Sequence, residues 1–541
     1  MKNLLLQLFF FSIVIQNSLW SQTNFTRKDS LQGGLPIERT CFDVLHYDLN
    51  IKLDIAQKKI VGYNTILFKT LENTTKIQLD LFQNMNIDSI VFQKERLRYT
   101  RAYNAVFVDF KKELSKGTTN SVCFYYSGNP LIAENAPWDG GFVYTTDSTG
   151  KPWIGVACQG DGASLWYPCK DSQSDEPDMG ATIKVTIPTG LTAVSNGRLQ
   201  GTEDLKNGTT RWDWEVKNTI NNYDISITIA DFVHFHDIYK GLDLDYYVLR
   251  ANEERARLQF EEVKPMLECF QSKFGPYPFS EDGYKLVETP YLGMEHQSAV
   301  AYGNKYLKGY AGRDLSRTGI GLLFDFIIIH ESGHEWFGNS ITSKDIADMW
   351  IHEGFTCYSE SVYLECQYGY DKAQTYINGL KGNIKNDTPI IGAYGVHHEG
   401  SADMYYKGSL LINTIRHIVN DDLKWWKLLL DYSTTYRHQI IDTETVIHFF
   451  NTETGIDLTP IFNQYLRHST IPELVLTKNK KGVFVKWKCD ETHFAMPIEI
   501  THNGITTRIT VTKEFTKLPL SISKKAFLKE INTQKFLFEI N

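Results

Sequence analysis

The sequence predicts a multidomain α+β protein: a β-rich, sandwich-like N-terminal domain, an α/β domain carrying most of the helices, and a short C-terminal β domain. Three observations lead there. The chain of 541 residues is too long for one hydrophobic core, since domains average about 150 residues. In its first half apolar residues alternate with polar ones, as at Tyr47, Leu49, Ile51, Leu53 and Ile55, the period-2 mark of half-buried strands. From residue 252 the spacing becomes three and four, at Ala256, Phe260, Val263, Leu267, Phe270 and Phe274, which is one face of a helix.

The elements follow in chain order. The opening, MKNLLLQLFFFSIVIQNSLWSQ, has a cation at Lys2, a mostly apolar stretch of 12 residues from Leu4 to Ile15, then small and polar residues. This is the outline of a secretory signal peptide over residues 1–21, cleaved near Ser21–Gln22. Twelve apolar residues fall short of the ~20 a membrane-spanning helix needs. The expected product is exported, periplasmic or secreted, with no transmembrane segment after signal removal. Residues 22–35 are polar and contain glycine, and read as a loose N-terminal segment. Strand patterns such as IVGYNTILFKT and KIQLDLF then fill a β domain over 36–235. Helices dominate 236–467. Pro265 lies inside the first helical pattern and kinks or splits it, and Gly275 and Pro276 stop it. In DTETVIHFFNTETG, Asp442 or Thr443 supplies the cap and Gly455 the stop. Pro460 suits the first turn of the next helix. From Ile471 strands return, with a hairpin about Lys481–Gly482, for a β domain over 468–541.

Bulk composition narrows the function. Apolar residues at 42% and charged residues at 22% exclude a disordered or collagen-like chain. A net charge of −8 provides no basic surface, so nucleic acid is not an expected partner. Eight cysteines are too few for a disulfide scaffold, and none form a CxxC pair. Cys158 and Cys169 are near neighbours able to bridge in an oxidising compartment, a question that sequence leaves open.

The chemistry concentrates in FDFIIIHESGHEWFGNSIT, residues 324–342. On a helix His330 and His334 stack on one face, one turn apart, and can aim two imidazole nitrogens at one ion. Glu331 lies about 100° round from His330, beside such an ion but not bound to it, where it can take a proton from water. Two imidazoles and one carboxylate suit a single zinc ion, with a fourth position open. A plain core helix would instead have to bury two histidines and two glutamates, each needing partners. The third ligand should come from a later helix, and DMWIHEGFTCYSE offers Glu353, with 18 residues between it and His334. Asp348 and Glu360 are candidates to accept from the other ring nitrogens, or else are capping or solvated carboxylates.

These motifs together resemble the zinc aminopeptidase family of aminopeptidase N, the gluzincin metallopeptidases that include leukotriene hydrolase. HESGHEWFGNSIT followed by WIHEGF resembles its zinc motif, YLGMEHQSAV its GxMEN signature, and YYKGSLL its YEKG signature. WYPCKDSQSDEPD is similar to FPCxDEP with an insertion, and FDVLHYDLNIKLDI to the start of the family's N-terminal domain. The similarity runs over residues 36–470. It implies a thermolysin-like catalytic domain that hydrolyses the N-terminal bond of peptides with a free N-terminus. By resemblance His330, His334 and Glu353 bind zinc, Glu331 activates water, and Tyr405 donates a hydrogen bond to the oxyanion. Glu295, with Gly293 and Met294 in GMEH, forms the substrate site and grips the α-amine, and Gln159 adds an amide contact.

Two departures stand out. His296 replaces the Asn that ends GxMEN, which implies a changed backbone or substrate contact. About 75 residues follow Arg467 and read as strands, where full-sized relatives have a long helical domain, so a more open cleft that admits longer peptides is expected. Alternatives are an endopeptidase or epoxide hydrolase on the same scaffold, or an inactive peptide-binding relative. Retention of every ligand and of Glu331 argues against the last, and Glu295 argues against an endopeptidase.

Overall fold

The computed structural model describes residues 24–519 and 521–541, so the signal-peptide expectation falls outside the described residues. The first described element is α1 (Arg27–Gly33), where loose chain was expected. Thr26 and Asp29 form a capping box, and the helix is docked: Gln32 Nε2 donates to Asp161 O (2.8 Å) and Gln78 Nε2 to Leu31 O (3.0 Å). Polar composition concealed a helix that gains its stability from caps and docking.

The strands β1 (Phe42–Asp54), β2 (Lys59–Thr70) and β3 (Ala181–Pro188) lie together in an eight-stranded sheet, β1 antiparallel to β2 and parallel to β3. Tyr47, Leu49, Ile51 and Leu53 are buried on one face of β1, as their alternation required. Smaller three- and four-stranded sheets complete this layer, and their shared core includes Ile183, Val185, Trp166 and Trp214.

A five-stranded sheet follows: β4 (Phe232–Tyr239), β5 (Leu242–Leu249), β6 (Tyr284–Glu288), β7 (Gly293–Met294) and β8 (Val300–Tyr302), in the order β4–β5–β6–β8–β7. The short β7 is therefore an edge strand, antiparallel to β8. The helical pattern interrupted by Pro265 is split in two, into α2 (Glu253–Gln259) and α3 (Val263–Phe274). Pro265 sits in the first turn of α3, where its missing N–H costs no hydrogen bond. The helices α4 (Phe326–Gly333), α5 (Trp350–Tyr368) and α6 (Asp403–Val419) carry the polar motifs. Asp442 caps the helix Thr443–Thr454 and Gly455 ends it, as expected.

The C-terminal strands Glu473–Asn479 and Gly482–Lys488 form the expected hairpin, pairing Asn479 with Gly482. They do not build a separate core: Leu474, Val485, Trp487 and Phe538 join the same apolar cluster as α3–α6. Leu537 N–H donates to Thr414 Oγ1 (3.0 Å), bracing α6 from behind. Cys158 and Cys169 are both free and buried, whereas Cys269 and Cys366, 97 residues apart, form a disulfide from α3 to the end of α5. No helix among the described residues is long and apolar enough to cross a membrane.

Candidate active site

Helix α4 begins at a cap. Asp325 accepts from the N–H groups of Ile327 (3.0 Å) and Ile328 (3.3 Å), and is itself fixed by the Tyr302 hydroxyl (2.8 Å) and the Asn304 amide (2.7 Å). Ile327, Ile328 and Ile329 enter the core, each stabilising by about 1.5–3 kcal/mol, which offsets burial of the polar residues behind them. The helix then breaks just past His334. Gly338 takes φ +130°, and a Cβ there would lie 3.1 Å from His334 Nδ1. The break turns the Phe337 carbonyl onto that ring.

The histidine tautomers follow from these partners. His334 Nδ1–H donates to Phe337 O (2.9 Å), and His330 Nδ1–H donates to Glu360 Oε1 (2.8 Å), so both Nε2 lone pairs stay free. They lie 3.4 and 3.5 Å from Glu353 Oε2, a buried oxygen with no hydrogen-bond partner. The three donor atoms fall within 4.8 Å of one another. Two free imidazole nitrogens around an orphaned carboxylate oxygen fit one zinc ion with an open fourth position.

Glu360 thus orients a ligand, as one of the two sequence candidates. Its other oxygen accepts from the Tyr376 hydroxyl. Asp348 does not take that role. It accepts from Tyr394 Oη (2.8 Å) and Thr443 N (3.3 Å), because the turn Ile346–Asp348 faces the later helix rather than α4. Glu360→Ala is expected to weaken zinc affinity by about 10–100-fold, read by competition with a chelator. Unchanged affinity would remove Glu360 from the orienting role.

Glu331 faces the cavity beside the histidines. Burial pushes its carboxyl up to about 7, against the pull of His330 and His334. Strand β7 passes directly over it: a Cβ on Gly293 would lie 2.6 Å from Glu331 Oε1, so only glycine leaves the carboxylate in place. The same edge strand delivers Met294 and Glu295. Glu295 Oε1 accepts from Tyr223 Oη (3.2 Å) and from the Gln159 amide, and Asn339 Nδ2 pins its backbone carbonyl (2.7 Å). Glu295, Glu331 and His334 also form a grouping within 4.8 Å, but there Glu295 is already engaged by two donors.

The nine residues expected as ligands, catalytic groups or substrate contacts all line one cavity of about 530 Å³: Gln159, Gly293, Met294, Glu295, His330, Glu331, His334, Glu353 and Tyr405. The Tyr405 ring stacks 6.2 Å from that of His330. Burial, with Glu353 and Glu295, raises its phenol well above the usual range, so it stays a donor. His296 lies elsewhere. It is 1% exposed and off the cavity wall, and burial pushes its ring down to about 3, so it is a neutral packing residue. Sequence reasoning missed Tyr223, Trp138 and Glu399, which line or support this space. It also gave no role to Glu335, which is buried and accepts from Ser298 N–H (2.8 Å), fixing the turn after Glu295.

Comparison with known proteins gives the family. Residues 44–223 match the model of the peptidase M1 N-terminal domain, and residues 258–465 that of the peptidase family M1 domain. Endoplasmic reticulum aminopeptidase 1 of Rattus norvegicus is 22% identical over 408 residues, covering 70% of this chain and 42% of the rat protein. Probable aminopeptidase 1 of Sulfurisphaera tokodaii is 20% identical over 426 residues, covering 74% of this chain and 51% of that protein. The chain therefore spans about half the length of such relatives. A solved M1 zinc metallopeptidase from Deinococcus radiodurans shares the fold, with a TM-score of 0.65 at 20% identity over 80% of this chain and 94% of that one. Two family models that together match most of the sequence, in the order and place of the two cores, establish that the chain belongs to peptidase family M1.

Proposed function

We propose that the protein is an exported zinc aminopeptidase that removes the first residue of peptides. The observation that carries this reading is one cavity holding both a zinc-ligand triad and the amine-seeking carboxylate of Glu295. Zinc held by His330, His334 and Glu353 supplies a Lewis acid that acidifies water and polarises a carbonyl. Glu331 takes the proton of the attacking water and returns it to the leaving amine. Glu295 holds the substrate's α-ammonium, which sets the register so that the carbonyl two bonds away is the one attacked. Interior peptide bonds bring no ammonium and lose that charge-assisted contact. Gln159 and Tyr223 orient Glu295 through their hydrogen bonds.

Tyr405 donates its hydroxyl to the oxyanion as charge develops. Tyr405→Phe is expected to lower kcat by about 10²–10³-fold with little change in KM, because that bond strengthens in the transition state. A change confined to KM in steady-state assays would assign Tyr405 to substrate binding instead.

Hydrolysis of aminoacyl-7-amidocoumarins tests the reading as a whole. Free-amine substrates are cleaved, their N-acetyl counterparts only at a small residual rate, a chelator stops turnover and zinc restores it. Equal cleavage of the acetylated substrates would sink the aminopeptidase reading. Export is supported by the cationic and apolar start of the sequence and by the Cys269–Cys366 bridge, which suits an oxidising compartment. A signal cleaved near Ser21–Gln22 is read by sequencing the mature N-terminus.

A further inference from the structure

Six carboxylates line the cavity, and five are accounted for. Glu331 and Glu353 belong to the reaction centre, Glu295 is engaged by Gln159 and Tyr223, and Glu360 by His330 and Tyr376. Asp403 accepts the N–H groups of Lys385 (2.8 Å) and Asn386 (2.7 Å). Glu399 is the sixth. It is half-buried and has no hydrogen-bond or ion-pair partner among the described residues, although Lys385 lines the same cavity. A carboxylate on a cavity wall without a protein partner is satisfied only by water, which a bound ligand displaces at a cost unless it brings its own donor.

Its position is fixed by its neighbours. His397 Nε2 donates to Gly160 O (2.9 Å), tying the loop of Glu399 to the loop of Gln159. His398 packs edge-on against Phe25 at 5.3 Å, and Gln32 on α1 holds Asp161, so the docked N-terminal helix clamps both loops. Gln159 in turn contacts Glu295. Glu399 therefore lines the same cavity as Glu295, on a loop tethered to the one that carries Gln159. Trp138, 70% exposed, lines the same cavity and offers a flat π-face.

We propose that Glu399 is a specificity residue that selects peptides whose first side chain is cationic, arginine or lysine. This deepens the aminopeptidase reading and rests on it. A guanidinium or ammonium completes the unpaired carboxylate with charge-assisted hydrogen bonds, and the Trp138 face accommodates the same cation. A neutral first side chain leaves Glu399 desolvated and unpaired, which is the stronger source of discrimination.

The test compares arginyl- and citrullyl-7-amidocoumarin, which differ in charge and hardly in size, on the full-length protein. Wild type is expected to show kcat/KM at least about tenfold higher for the arginyl substrate. Glu399→Gln, which keeps the shape and removes the charge, is expected to bring that ratio close to one. A wild-type ratio near one overturns the proposal, as does a high ratio that survives Glu399→Gln. The wild-type comparison needs no variant, so it stays decisive even where Glu399→Gln fails to fold. If leucyl and arginyl substrates are both cleaved and citrulline equals arginine, the specificity proposal alone falls. If no free-amine substrate is cleaved, the aminopeptidase reading falls with it.

Discussion

Glu331→Gln is expected to leave zinc bound and to lower kcat by about 10²–10⁴-fold or more, the range for losing a general acid–base group. The substitution keeps the side-chain volume, which matters because Gly293 of β7 leaves no spare room over the carboxylate. It removes only the ability to accept and return a proton. The three ligand atoms are on other residues, and their orienting bonds to Glu360 and Phe337 O are untouched. Metal content by elemental analysis and kcat on the same sample therefore separate the two roles. Loss of zinc in proportion to activity would make Glu331 a ligand. Turnover within about tenfold of wild type would hand the base role to another carboxylate of the cavity.

Much of this site was legible because its chemistry is local. His330, Glu331 and His334 fall within two turns of one helix, and the apolar run before them gives that helix its core face. Glu353 was legible one step further, as the acid on the next long helix. Tyr405 and Gln159 are single residues on separate loops and helices, and only the family resemblance marked them. Tyr223 and Glu399 were missed because what places them is packing: Tyr223 reaches Glu295 across 72 residues of chain, and Glu399 through the His397 tether to Gly160. The same distinction explains the cysteines. Cys158 and Cys169 are close in sequence yet stay free, while the pair that bridges is 97 residues apart. The strand and helix domains were readable from periodicity, but α1 was not, since a seven-residue helix has too few turns to show a period. Its Thr26–Asp29 capping spacing was the available signal.

Glu295→Gln is expected to reduce kcat/KM for free-amine substrates by about 10²-fold or more, while the residual hydrolysis of N-blocked substrates falls far less. Truncating one partner of a buried charge pair typically costs about 2–5 kcal/mol, and about 1.4 kcal/mol is tenfold. Burial pushes the Glu295 carboxyl up, His334 opposes this and Glu353 reinforces it, and an α-ammonium placed beside it favours the charged form. A blocked substrate never makes that contact and has little to lose. The amide also keeps an oxygen for Tyr223 and Gln159, so the wall of the cavity stays in place. Equal losses on free and blocked substrates would undo the argument that this carboxylate counts from the chain end. Zinc content gives a second, independent reading. Glu295 belongs to the alternative grouping with Glu331 and His334, so loss of metal in Glu295→Gln would move the ion there. Retention of zinc with selective loss of free-amine turnover leaves only the amine-binding role.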